Sequence, residues 1–440
     1  MQLIEATEVF NREFEGCGPF MHQLMTQLFP ICRSITGDGV RETLRILQGL
    51  IPLKTFEVPS GTKVFDWTIP KEWNIRDAFV IDPAGKKIID FRKNNLHVLG
   101  YAVPVDKSLS LSQLQEHLYS LDDQPEAIPW VTSVYEERWG FCLSHKQRME
   151  LEDGTYRVYI DSELKNGSLT YGELIIPGNS SKEIFISTYV CHPSMANNEL
   201  SGPVVATMLA KWISSEPRRF TYRIIFIPET IGSIAYLSRN LESMQENIVA
   251  GFNLTCVGDE GAYSYLPSRK GYTLADKAAL NVLRSEHPDF RHYSFLERGS
   301  DERQYCSPGV DLPVVSLMRT KYREFPEYHT SLDNLEFVTP AGLEGSFALH
   351  KQCIDLLERN KVYKTCCLGE PQLGRRGLFP TIATRESYGQ VADMLNFLAY
   401  ADGTNDLIDI SNIIHVPVRD LYPIIDKLTA ADLLQEQATN

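Results

Sequence analysis

The stretch from residue 183 to residue 257 constrains this chain more than any other. EIFISTYV, PVVATMLAKWISS, YRIIFIP, SIAYLSRNLES and IVAGFNLTCV alternate short apolar runs with amphipathic segments. Runs of strand length interleaved with helical periods predict an α/β fold, a mixed and mostly parallel sheet with helices on both faces. In such sheets ligands gather where strands end and helices begin. The chain places polar side chains there: His192 follows EIFISTYV, Glu229 follows YRIIFIP, and Thr255, Asp259 and Glu260 follow GFNL.

The flanks read differently. From about 20 to 50 a helical period is broken by the turn Thr36-Gly37-Asp38-Gly39, which predicts two helices and a tight loop. From about Phe56 to Tyr101 the pattern shortens to KVFDWTI, AFVIDPAG and KKIIDF, the mark of a small β-rich module. The expected division is therefore a main domain of residues 1–56 and 125–366, a β-rich insert of 57–124, and a tail of 370–440. The tail shows three amphipathic helices with turns at Asp402-Gly403 and Val416-Pro417, the period of a winged helix-turn-helix.

Composition narrows the partners. Hydrophobic residues at 43% and charged residues at 23% belong to a folded globular chain. The N-terminal MQLIEATEVFNREFEG carries acids where a leader needs bases, and no run reaches the roughly 18 apolar residues of a span, so a cytoplasmic protein without membrane contact is expected. Nine cysteines without a CxxC predict reduced core thiols. A net charge of −14 disfavours nucleic acid and anionic membranes. From Glu370 onward ten acidic residues face five basic ones, so docking or dimerisation, including a homo-oligomer, is expected of the winged helix before DNA binding.

The strand-end residues have plain structural readings as well. His192 alone could be a hydrogen-bonded core histidine, Glu229 a helix cap, and EYHTSLDN a polar turn in which Asp333 and Asn334 cap a helix. Together, with Asp301 and Glu302 in RGSDERQY and His329 in EYHTSLDN, they form a histidine and carboxylate set of the kind zinc prefers.

Their order resembles the zinc exopeptidase fold of bacterial leucine aminopeptidases and glutaminyl cyclases. More closely, RSITGDGVR, PSGTKVFDWTIPKEW, CHPSMANNELSGP, PETIGSIAYLS, TCVGDEG, SDERQY and EYHTSLDN resemble a bacterial family with an aminopeptidase-like domain, an inserted β-rich module and a C-terminal winged helix. The resemblance spans nearly the whole chain. It matches His192 and His329 to the first and last metal-binding histidines and Glu229 to the general base. It also places Asn198, Thr230 and Thr255 where three ligand carboxylates of a two-zinc site belong. Neutral side chains cannot offset two adjacent dications, so the expectation is one zinc or other divalent ion and a metal-dependent hydrolase acting on an aminoacyl or peptide-like amide. In the favoured arrangement His192, Glu199 and His329 hold the ion, and Glu229 is the base with Asp301 beside it. In the alternative Glu229 is a ligand with Glu199 and His329, and His192 supports them. A relative that binds without turnover also fits the missing ligands. Arg33, Arg41, Asn198, Arg303 and Tyr328 are the expected substrate contacts, with Tyr263 and Tyr265 as further candidates for the cleft wall.

Overall fold

The computed structural model describes residues 14–379 and 385–437. The first thirteen residues, part of the argument against a leader, and the end of the linker after 379 lie outside the described residues.

The apolar runs form an eight-stranded sheet. Its order is Lys54–Pro59, Ser168–Ile176, Thr221–Ile227, Glu183–Tyr189, Ile248–Leu254, Val314–Met318, Ser264–Leu266 and Arg291–His292. Four of the seven pairings are parallel, three of them consecutive at the centre, so the sheet is mixed with a parallel heart. All seven residues of Glu183–Tyr189 are buried, as a strand covered on both faces requires. Glu183 is tolerated there because Arg223 donates to both of its carboxylate oxygens, at 2.6 and 2.9 Å.

Helices Gly18–Leu28, Ser201–Ile213 and Ile231–Asn247 flank the sheet, and Ser201–Ile213 is buried at every position except Lys211. Its first turn sits directly on two strand ends. A Cβ on Gly202 would lie 2.2 Å from Thr188 Oγ1 and 2.5 Å from the Leu254 carbonyl, which explains the glycine of the LSG triplet.

The β-rich module is a four-stranded antiparallel sheet in the order Lys87–Asp90, Glu72–Ile81, Thr155–Lys165 and Val105–Ser110. Val80, Ile89, Phe141, Tyr156 and Ile160 belong to its own core. One strand, Thr155–Lys165, therefore comes from beyond the 124 limit read from the sequence. That strand pairs on both sides, and without it the other strands would be left with open edges.

Among the described residues, 14–275 and 289–350 make one compact unit, and 276–288 with 351–379 and 385–437 make a second. The second contains helices Arg385–Tyr400, Leu407–Ile414 and Val418–Ala430, with a sheet whose central strand is Val362–Thr365. That strand precedes the 370 limit, because the wing needs it between Asp402–Asp406 and Leu434–Glu436. Asp406 caps the second helix by accepting from the Asp409 amide at 2.8 Å. Asp420 and Asp426 are exposed on the third helix. All nine cysteines are free thiols. Among the described residues, no helix is long and apolar enough to cross a membrane.

Candidate active site

The site grows from the C-terminal ends of the parallel strands. Past Tyr189 the chain runs through Cys191 to His192, which is 3% exposed. The Nδ1 edge of His192 lies 2.8 Å from Glu199 Oε2. Glu199 sits on the π-helical turn Ala196–Leu200, whose Asn197 and Asn198 amides donate to the Asp333 carboxylate at 2.6 and 2.9 Å. Asp333 of EYHTSLDN is thus a cap, as its plain structural reading expects, although it caps a turn far away in sequence.

Behind Glu199 stands Arg33, fully enclosed. Its Nε is 3.3 Å from Glu199 Oε1 and donates to the His192 carbonyl at 2.9 Å, and its Nη1 donates to the Leu28 carbonyl at 2.8 Å. The pair opposes what burial does to each member: burial pushes the Glu199 carboxyl up to about 8, while the Arg33 charge pulls it down. In its ionised form, paired with Arg33, Glu199 can only accept; His192 then carries its proton on Nδ1 and presents a lone pair on Nε2. Desolvation first, and Arg33 second, hold His192 neutral, with a pKa lowered to about 3.

The Nε2 edge faces the open side. Glu229 Oε2 is 3.8 Å away, and the His329 ring centroid lies 5.5 Å from that of His192. Trp130 backs both imidazoles, at 4.6 Å from each. Desolvation and the neighbouring His192 also lower His329, to about 2. Burial, then the neighbouring Asp301, raises the Glu229 carboxyl, and burial raises Asp301.

Glu229 leaves its strand through a strained turn. Thr230 has φ 64° and ψ −78°, and the Ile231 amide donates to the Glu229 carbonyl at 2.8 Å, a γ-turn of the uncommon positive-φ kind at a β-branched residue. Three contacts hold it: the Thr230 amide donates to Asp301 Oδ1 at 2.8 Å, Arg303 donates to Thr230 Oγ1, and the Glu229 amide donates to Cys191 Sγ at 3.2 Å. Asp301 therefore positions the turn that carries Glu229, and Ser233 Oγ donates to the same Asp301 oxygen at 2.8 Å.

His192, Glu229, Arg33 and Arg303 border one cavity of about 290 Å³. Its walls also include the aromatic side chains Trp67, Tyr101, Trp130 and Tyr135. The last four were invisible as site residues because an isolated aromatic in a β-rich segment reads as core; the exposure of Trp67 and Tyr135, 38% and 63%, is a tertiary property.

The other expected contacts lie elsewhere. Arg41 borders a different concavity, clamped by Glu72 and Asp38. Asn198 turns inward, its Oδ1 accepting from the Tyr189 hydroxyl at 3.1 Å. Tyr328 stacks flat on His329 at 3.8 Å and does not border the cavity. Tyr263 lies under the Arg319 guanidinium, and Tyr265 is a buried strand residue. Asp259 is spent on Asn197 and Thr320.

The donor set is poor in charge for a pair of adjacent dications. Thr255 bonds the Tyr189 hydroxyl at 2.7 Å and Thr230 holds Arg303, so neither offers a charge. Of the expected trio, His192 and Glu199 meet at 2.8 Å, and His329 lies with its ring centroid 5.5 Å from that of His192. Cys191, His192 and Glu199 do bring ligand atoms within 4.8 Å of one another, but Arg33 already neutralises Glu199, and burial holds the Cys191 thiol protonated. His192, Glu229 and His329 lie near one another, and His192 and Glu229 border the cavity.

Comparison with known proteins agrees with this architecture. A family model described as Domain of unknown function (DUF4910) matches residues 22–360, and a winged helix-turn-helix model matches 361–436. A Clostridium acetobutylicum protein named "Putative polysaccharide biosynthesis protein with aminopeptidase-like domain" is 45% identical over 95% of this chain and 96% of its own. A crystal structure from the same organism superposes with a TM-score of 0.91 at 43% identity, covering 98% of this chain and 100% of that one. A zinc aminopeptidase from Bacillus subtilis shares the fold at 13% identity, with a TM-score of 0.56 over 78% of this chain and 95% of that one. The chain belongs to the DUF4910 family of aminopeptidase-like domains and carries a winged helix-turn-helix behind it.

Proposed function

We propose that this chain is a single-metal hydrolase that cleaves an amide bond of a small aminoacyl or peptide-like substrate. The observation that carries the reading is the approach of His192 Nε2 and Glu229 Oε2, 3.8 Å apart at the wall of an aromatic cavity. His192 and His329 would hold one zinc ion, which supplies polarisation of the carbonyl and a water of lowered pKa. Glu229 takes the proton of the attacking water and returns it to the leaving nitrogen. Asp301 keeps Glu229 aimed by anchoring the Thr230 amide, and Trp130 excludes water from behind the imidazoles. The name of the Clostridium relative ties that protein to polysaccharide biosynthesis, so amides on amino sugars belong in the substrate screen beside aminoacyl amides.

The test is elemental analysis of protein purified without added metal, paired with amide hydrolysis, on wild type, His192→Ala and Glu229→Gln. About one zinc per chain, lost in His192→Ala and retained in Glu229→Gln while turnover falls roughly 10²- to 10⁴-fold, is the expected result. Zinc loss in Glu229→Gln would make Glu229 a ligand and remove it as the base. A wild type that neither carries nor takes up metal sinks the hydrolase reading. It would leave the second reading, a binding protein without turnover, which the neutral Asn198, Thr230 and Thr255 favour. We assign the winged helix no nucleic-acid role, since Asp420 and Asp426 are exposed on the helix that would meet phosphates.

A further inference from the structure

We propose that the cavity takes its substrate by an anionic group, a carboxylate or a phosphate, gripped by Arg303, with a flat apolar body against Trp67, Trp130 and Tyr135. The proposal rests on reading that cavity as the substrate site. Arg303 is half-buried at the cavity wall. It spends one Nη2 hydrogen bond on Thr230 Oγ1, makes no ion pair among the described residues, and keeps Nε enclosed without a partner. A guanidinium with a buried idle donor is costly, and a carboxylate or phosphate oxygen would satisfy that donor.

Arg33 adds a second donor. Its charge is met by Glu199, yet its Nη2 is enclosed and unpartnered, and it borders the same cavity. Glu229 and Asp301 feel the Arg303 charge, but among the described residues neither forms an ion pair with it. Asp301 turns Oδ1 to the Thr230 amide and Ser233, and Glu229 faces the His192 edge. The aromatic walls define the rest of the ligand: Trp67 and Tyr135 hold their rings 6.4 Å apart on exposed surface bordering the cavity, an apolar face for a planar or ring-shaped group.

The test is calorimetric titration of the full chain with N-benzoylglycine, its methyl ester, benzyl phosphate and glycine benzylamide, repeated in Glu229→Gln so that turnover cannot blur binding. The anions should bind at least tenfold, about 1.4 kcal/mol, more tightly than the ester or the ammonium. Arg303→Gln should erase the gap, and Arg303→Lys, which keeps the charge and loses the fork, should keep part of it, each with an unaltered melting temperature. Benzoylglycine against benzyl phosphate decides between carboxylate and phosphate. Equal affinity for acid and ester, no anion binding at millimolar concentration, or a gap that survives Arg303→Gln overturns the proposal. Anion preference without amide cleavage would keep this site and remove the hydrolase; cleavage without anion preference would do the reverse.

Discussion

The two arginines that flank the Ser34–Val40 turn each carry one charge, but Arg33 is wholly enclosed against Glu199, whereas Arg41 keeps 30% of its side chain exposed against Glu72 and Asp38. Enclosure changes what the partner does. Around Arg33 no water can replace a lost carboxylate, and the same guanidinium also ties the His192 carbonyl to the Leu28 carbonyl. Around Arg41 water and Asp38 remain, and the clamp ties the helix Asp38–Gln48 to the insert strand that begins at Glu72. One arginine is part of the site's frame, and the other is a fastener between two structural elements.

Arg33→Met should break that contrast hardest. It leaves Glu199 buried and unpaired, which costs roughly 3 to 5 kcal/mol by denaturant unfolding, and adding Glu199→Leu should recover most of the loss. A single-variant loss below about 1 kcal/mol would mean that the enclosed pair is not what holds the His192 turn.

Glu72→Gln comes next. The hydrogen bonds from Arg41, with the Ser168 amide and Asn74 in support, depress the Glu72 carboxyl from 4.5 to about 2 in the folded chain. A depressed carboxyl contributes stability that is fully present above its unfolded value and is lost as pH falls through the folded one. Wild type should therefore exceed Glu72→Gln by about 1 to 3 kcal/mol at pH 7, with the gap closing as pH falls toward 2. Urea midpoints across that range would show it, and a gap independent of pH would assign the effect to packing.

The smallest effect sharpens the comparison from outside. Arg45 pairs with Glu42 on the open face of the same helix, and Arg45→Ala should leave the melting temperature within error of wild type. A clear drop would mean that exposure is not the variable that separates the arginines.

Much of the architecture was legible because it is periodic. Alternating apolar runs and helical stripes predicted the mixed sheet, and the strand-end rule pointed to His192 and Glu229, which do meet. The module limits were harder. Thr155–Lys165 and Val362–Thr365 each complete a sheet with strands distant in sequence, and nothing local marks which sheet an edge will join. Which edge of His192 meets Glu199 was likewise not local: the π-helical turn Ala196–Leu200 sets the carboxylate against Nδ1.

By itself the sequence determined the residue types at the strand ends, the neutral replacements at Asn198, Thr230 and Thr255, and the acidity of the tail, because composition and periodicity are local properties. Tertiary structure decided which edge of His192 is free, which arginine borders the cavity, and which aromatics wall it. Those depend on what is buried against what, and in a low-dielectric interior the enclosed partner sets the charge, the tautomer and the direction in which a side chain can act.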